Sequence, residues 1–445
     1  MKFNPYTLAG RTVRGYGVEL TPGKLRFKFI KGKIEDLRAY RDTLELGTNY
    51  VPTYARKMTG VSFGFGSRST YFDLYGVKSE DTLDSLNGEK ILEDYSRKSN
   101  TVLGSTFSLK ISKNIRLRSN FGASFQTENL DSYGENTIVG SNSLTNNLVE
   151  ANLSSTFTYA GDVALNYSSK LFSLNTKVKY IQPYFQPLTV AYVNTDIINY
   201  TIGGSTSFFK HRLNLMGSVG VQKNNLTGNK LSTSNNLILN LIANFKLSKG
   251  LSGTVNYTNF TQDYEARIIQ INDLYTYAIT SNVKAFSLRY SFGRGDNRYN
   301  TTFRIGQNDF VTIDDSEEEL GAYDSWNSSI NIALNNKEQN FRLSTSLTYR
   351  KYDRQSNSTS NYGIRINGNK GFFDDLIKLN VNTGYAFNDL NGYREGRTWR
   401  IGIVASYKLN DKSNLSLRLN HISRNSSVRS DFSEYRTGLQ YLYSF

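Results

Sequence analysis

The 445 residues include no cysteine and only two histidines, His211 and His421. A His/Cys cluster for zinc or iron is therefore excluded, and the fold needs no disulfides. No window approaches 18 consecutive apolar residues, so no transmembrane helix is encoded. Hydrophobic residues make up 38% of the chain, and the mean hydropathy is −0.48. A two-domain soluble protein of this length would carry more Leu, Ile, Val and Ala at helical spacing. Low hydropathy does not exclude a membrane protein built of strands, because a strand shows only alternate residues to lipid. Neither a Walker nor a Rossmann motif appears. Met1-Lys2-Phe3-Asn4-Pro5 leads straight into strand-like sequence, without the apolar stretch of a signal peptide.

What the chain does have is positive charge, aromatic residues and alternation. Lys and Arg number 53 against 38 Asp and Glu, a net charge of +15. The bases are spread along the whole chain with no basic run or nucleic-acid module, so nucleic acid is not an expected partner. There are 31 tyrosines and 26 phenylalanines. Ile115, Leu117, Phe121, Ala123 and Phe125 alternate with Arg116, Arg118, Asn120, Gly122 and Ser124. Phe172, Leu174, Val178 and Tyr180 alternate with Ser173, Asn175, Lys177 and Lys179. A period of two puts such sets on opposite faces of a strand.

The strands are punctuated by short turns at 21–24, 67–69, 112–114, 168–170, 210–212, 248–250, 293–296, 335–337, 368–371 and 410–412. All are rich in turn-forming residues. Between them lie longer polar segments at 38–53, 80–99, 127–150, 187–194, 224–234, 262–276, 308–322, 353–360, 388–396 and 423–431. Short turns on one side and long loops on the other predict a transmembrane antiparallel up-and-down β-barrel of the outer-membrane type. About 21 segments are visible, giving an expectation of 20–22 strands in a single domain spanning 1–445. Such barrels usually have an even strand number. Counted back from a periplasmic C-terminus, the chain would start on the extracellular side, so an N-terminal strand is expected to be missing.

The last residues, Tyr435 to Phe445, alternate with Leu439, Tyr441, Tyr443 and Phe445 on one face. This resembles the C-terminal β-signal of outer-membrane barrels, which the barrel assembly machinery reads. Tyr6-Thr7-Leu8-Ala9-Gly10, Gly17-Val18-Glu19-Leu20-Thr21-Pro22-Gly23-Lys24 and Tyr71 to Asp81 resemble segments of a poorly characterised family of Bacteroidetes outer-membrane β-barrel proteins. The resemblance covers the first 80 residues and the terminal signal. It implies an integral outer-membrane location, and no known activity comes with it.

Few residues suggest chemistry. His211 lies in a polar turn, and His421 lies in the outward register two residues from Ser423, a neighbour that a Ser-rich chain supplies by chance. No enzyme activity and no cofactor are expected. Asp314 to Glu319 is read as a solvated acidic loop. Asp42-Thr43-Leu44, Asp81-Thr82-Leu83 and Asp84-Ser85-Leu86 resemble a short Bacteroidetes O-glycosylation pattern. Arg26, Lys28, Arg116, Arg118, Lys177, Lys179, Arg342, Lys378 and Arg418 fall in the polar register and are predicted to face the lumen. Basic groups there raise the local anion concentration. Tyr180, Tyr184, Tyr290, Tyr349, Tyr385, Tyr407, Tyr441 and Tyr443 suit interfacial aromatic girdles. The expected function is a porin-like pore with a basic lumen. The alternative is a non-enzymatic subunit or scaffold of an outer-membrane secretion or assembly complex. Expected partners are outer-membrane lipid and lipopolysaccharide, the assembly machinery during biogenesis, and other envelope proteins.

Overall fold

A computed structural model describes residues 3–37, 53–82, 96–130, 152–267, 276–314, 319–410, 412–427 and 430–443. Its named elements are 21 strands, within the expected 20–22. They are β1 (Arg14–Leu20), β2 (Leu25–Glu35), β3 (Ala55–Gly66), β4 (Tyr71–Thr82), β5 (Ser99–Lys110), β6 (Ile115–Thr127), β7 (Ser155–Ser168), β8 (Phe172–Ile181), β9 (Ile197–Phe208), β10 (Leu213–Asn224) and β11 (Ser232–Lys246). There follow β12 (Leu251–Ala266), β13 (Tyr277–Arg294), β14 (Asn297–Asp314), β15 (Glu319–Asn336), β16 (Phe341–Arg354), β17 (Asn357–Phe372), β18 (Ile377–Leu390), β19 (Tyr393–Asn410), β20 (Ser413–Ser426) and β21 (Phe432–Tyr443). The fold is all-β, and chain neighbours pair antiparallel in up-and-down order. Contacts gather into two compact units, Met1–Gly204 with Gly220–Asn235, and Ser205–Val219 with Asn236–Phe445.

In the first unit the two faces of the sheet are sorted by polarity. Val61, Phe63, Phe65, Phe72, Leu74, Leu103, Phe157, Val163, Phe172 and Leu174 stand exposed on one face. Ser62, Asp73, Ser79, Thr106, Asn120, Ser124 and Asp162 are buried on the other. That is the reverse of a water-soluble sheet, in which the apolar face is the covered one.

The polar face is covered by residues that precede the first strand. The Asn4 side chain accepts from the Tyr6 N–H at 2.9 Å and the Thr7 hydroxyl at 2.9 Å, folding Asn4-Pro5-Tyr6-Thr7 into a turn. The Asn4 amide donates to the backbone carbonyls of Ser105 at 3.1 Å and Phe121 at 2.7 Å. The Tyr6 hydroxyl donates to Asp162 at 2.7 Å. Ala9 bridges Val190 in parallel, and the Thr189 hydroxyl donates to the Thr7 carbonyl. The connection between β8 and β9 therefore turns onto the same face. The Leu188 N–H donates to the Asn100 side chain at 3.2 Å, and Phe185 is fully buried. Two small cores result, Tyr6 with Ala160, Ile181, Phe185 and Ile197, and Leu8 with Ile30, Met58 and Val77.

Asp162 is the polar centre of this packing. It also accepts from the Asn120 amide at 3.1 Å and lies 3.5 Å from Lys177 Nζ. Asp162→Ala would leave the Tyr6 hydroxyl and the Asn120 amide buried and unpaired, so it should cost about 1–3 kcal/mol. A lowered unfolding temperature in detergent, with Asp162→Asn less affected, checks this; an unchanged temperature would refute it.

The second unit has the same sorting of faces, with longer strands. Ile330, Ile332, Leu343, Leu347, Ile364, Ile366 and Trp399 are exposed on one face. β13, β14 and β15 each run 18 residues, against the 9–11 that a tilted strand needs to cross a hydrocarbon core.

This length corrects several expectations. Segments 308–322, 353–360 and 388–396 are mostly strand: β14 reaches Asp314, and β16–β17 and β18–β19 are joined by two residues each. Polar residues there continue the hydrogen-bonded ladders past the apolar belt, so polarity alone does not mark a loop. The expected turn at 368–371 is part of β17, and the chain turns at Phe373 to Leu376, where Phe373, Asp374 and Asp375 have positive φ. The turn after β15 falls at 337–340, because the ladder continues through Asn336. Residues 3–10 are not strand-like: they form the turn and docked segment described above. Asp81 is the penultimate residue of β4, buried and ion-paired to Arg56 at 2.7 Å, so it is not a free loop residue. Asp42-Thr43-Leu44, Leu83, Asp84-Ser85-Leu86 and 315–318 lie outside the described residues.

Candidate functional site

Within the second unit, the polar face of β14 to β21 lines a cavity of about 1490 Å³. Five arginines line it: Arg304, Arg350, Arg365, Arg400 and Arg424. Each is placed there by alternation. Arg304 lies between Phe303 and Ile305, Arg365 between Ile364 and Ile366, and Arg400 between Trp399 and Ile401. When the apolar neighbours take the exposed face, the arginine must take the other.

Strand register then gathers them. One hydrogen-bonded row runs Arg304, Ser329, Thr348, Gly363, Ala386, Thr398, Arg424. The next runs Asn331, Ser346, Arg365, Gly384, Arg400. Arg350 stands one row beyond the first, opposite Asn361 and Asn388. Gly363, Gly384 and Ala386 bring no bulk between the guanidinium groups.

The cavity has two carboxylates, and both are engaged. Asp389 accepts from Arg394 Nε at 2.6 Å, and Glu395 lies 3.8 Å from Arg424. Among the described residues, Arg304, Arg350, Arg365 and Arg400 have no carboxylate within ion-pair distance. Unpaired like charges held close on a low-dielectric wall create a positive potential that concentrates anions. Neutral donors and acceptors, including Ser346, Asn361 and Asn382, complete the lining.

The bases expected in the lumen lie elsewhere on the polar face. Arg26 pairs with Asp73 at 3.1 Å and stacks over Tyr71, Lys28 pairs with Glu19 at 2.8 Å, and Lys177 faces Asp162. Lys179 is half-buried beside Lys177. Arg116 and Arg118 are exposed near the β5–β6 turn. Lys378 pairs with Asp375 at 3.2 Å, Arg342 borders a smaller cavity near the β15–β16 turn, and Arg418 is exposed on β20. None of the nine lines the large cavity. The five that do were readable as polar-register bases, but nothing local to each strand marked them off from the others.

His421 lies on the apolar face, stacked on Tyr435 at 4.1 Å and edge-on to Trp399 at 5.6 Å. In β21, Leu439 and Tyr441 pair opposite Leu417 and Leu415, and Tyr443 opposite Ser413. Phe445 lies outside the described residues. Tyr184 sits in the β8–β9 connection, not at a strand end.

No protein-family model matches the chain, and no curated protein matches it. Solved structures similar to it include OccAB4 of Acinetobacter baumannii (12% identity, 88% of this chain and 98% of that one, TM-score 0.37). OpdK of Pseudomonas aeruginosa, solved with vanillate, is similar at 11% identity over 78% of this chain and 92% of that one, with a TM-score of 0.37. OmpT, an outer membrane protein of Vibrio cholerae, is similar at 13% identity over 65% and 91%, with a TM-score of 0.35.

Proposed function

We propose that the chain is an integral outer-membrane β-barrel acting as a porin-like pore with a basic lumen, and that it is not an enzyme. The observation that carries this reading is the sorting of the two faces. Large apolar side chains stand exposed on one face of strand after strand, while polar ones line a cavity on the other. Water would not leave so much apolar surface open, whereas lipid tails would cover it. The apolar face meets lipid and the outer lipopolysaccharide leaflet, and Leu439, Tyr441, Tyr443 and Phe445 present the end of the chain to the assembly machinery.

Purified protein in planar bilayers should give discrete current steps. The reversal potential in a salt gradient should favour chloride over potassium, because the unpaired arginines repel cations. Absence of current steps would sink the pore reading. One observation favours a second reading, a barrel subunit of a secretion or assembly complex: the polar face of the first unit is filled by its own N-terminal segment and by the β8–β9 connection. Co-purification of stoichiometric envelope proteins from native membranes in mild detergent would support that reading, and isolation as a lone chain would count against it.

A further inference from the structure

We propose that Arg304, Arg350, Arg365, Arg400 and Arg424 form a binding site for a solute carrying two or more carboxylate, phosphate or sulfate groups. The inference rests on the pore reading for its physiological sense, but the site itself is defined by geometry. Bases scattered along a lumen would bias ion flow without holding anything. Here they are gathered in three successive rows of one wall, and four lack a carboxylate partner among the described residues.

Spacing sets the class of ligand. Neighbouring strands lie about 4.8 Å apart, so Arg365 and Arg400, two strands apart in one row, are separated by roughly 10 Å at the backbone. A two-residue step along a strand adds roughly 7 Å, which separates successive rows. One carboxylate can occupy one guanidinium fork. Reaching a second fork requires a second anionic group several ångströms away on the same molecule. A solute with a single charge gains one such contact, while an oligoanion gains several at one cost in translational freedom. The cavity is larger than the roughly 300–1,000 Å³ of an ordinary small-molecule pocket, so an extended solute fits with some of its water. The serine and asparagine lining offers neutral hydrogen bonds to hydroxyls or to that water.

The test is calorimetric titration of the full chain in detergent micelles with citrate, pyrophosphate and acetate at equal ionic strength. Citrate or pyrophosphate should bind at least about tenfold more tightly than acetate, the equivalent of about 1.4 kcal/mol. Preference between citrate and pyrophosphate tells whether carboxylates or phosphates suit the site. The doubly substituted Arg365→Gln/Arg400→Gln chain should lose most of this affinity, while Arg118→Gln, away from the cavity, should keep it. A charge-preserving Arg365→Lys/Arg400→Lys chain separates a built site from diffuse attraction: loss of several-fold affinity supports fork recognition, and unchanged affinity overturns it. Citrate and pyrophosphate binding no tighter than acetate overturns the proposal on the native chain, whether or not any variant folds. In bilayers, the same oligoanions should block chloride current saturably. Current without such block removes the site and leaves the pore reading standing, whereas tight binding without any current does the reverse.

Discussion

Leu347→Arg should destabilise the chain in a bilayer by about 2–4 kcal/mol, the cost of a guanidinium at mid-membrane depth on the lipid side of a barrel. Leu347 is 51% exposed. It pairs across β15 and β17 with Ile330 and Ile364, both exposed on the same face. In a soluble protein, an arginine at such an open position would be tolerated to within about 0.5 kcal/mol. The substitution therefore measures what covers this face. Asn367→Arg is the control: it lies three residues along β17 from Ile364, on the opposite face, against the cavity, where a charge stays hydrated. Denaturant unfolding from lipid vesicles reads both. Equal costs for the two variants would show that the faces are assigned wrongly.

Gly122→Val should release the N-terminal segment. A Cβ at Gly122 would come within 2.5 Å of Tyr6 Cβ and 3.2 Å of the Tyr6 carbonyl oxygen. At Gly104 a Cβ would run into Thr7 Cγ2 and come within 3.0 Å of the Asn4 amide. These two glycines, on adjacent strands, let the segment approach the sheet backbone closely enough for Asn4 to reach the Phe121 carbonyl. Overpacking at one such point costs about 1–3 kcal/mol. The lost Tyr6–Asp162 and Asn4–Phe121 hydrogen bonds add about 1 kcal/mol each. The sign is informative. Valine in an ordinary strand position is more favourable than glycine, so a sheet with nothing docked on it would be stabilised. Faster proteolysis within the first ten residues, with a lower unfolding temperature, is the expected result; a more stable variant would mean that the segment does not dock there.

The strands were legible because their evidence is local. Phe121 next to Gly122, or Ile364 next to Arg365, declares its face by a period of two, and Thr21-Pro22-Gly23-Lys24 declares a turn by its own chemistry. The strand ends in the second unit were not legible. Segments such as Asn388 to Leu390 and Tyr393 to Gly396 are largely polar, and only cross-strand pairing with Thr359, Ser360 and Asn361, with each other, and of Gly396 with Ser426 keeps them extended. The docked segment was equally hidden. Tyr6 meets Asp162 across 156 positions, and nothing in Tyr6-Thr7-Leu8-Ala9-Gly10 by itself says that it covers a polar sheet.

The sequence by itself determined an all-β chain of about 21 antiparallel strands, each with one apolar and one polar face. Alternation, turn chemistry and the absence of long apolar runs allow little else. Tertiary structure alone decided which polar-face bases matter. Arg26, Lys28 and Lys177 look the same along the chain as Arg304, Arg365 and Arg400. The first three face Asp73, Glu19 and Asp162 and are neutralised, while the other three meet serine, glycine and isoleucine across the ladder. The field that a charge projects depends on its partner, and the partner is set by register between strands, which no period within a single strand encodes.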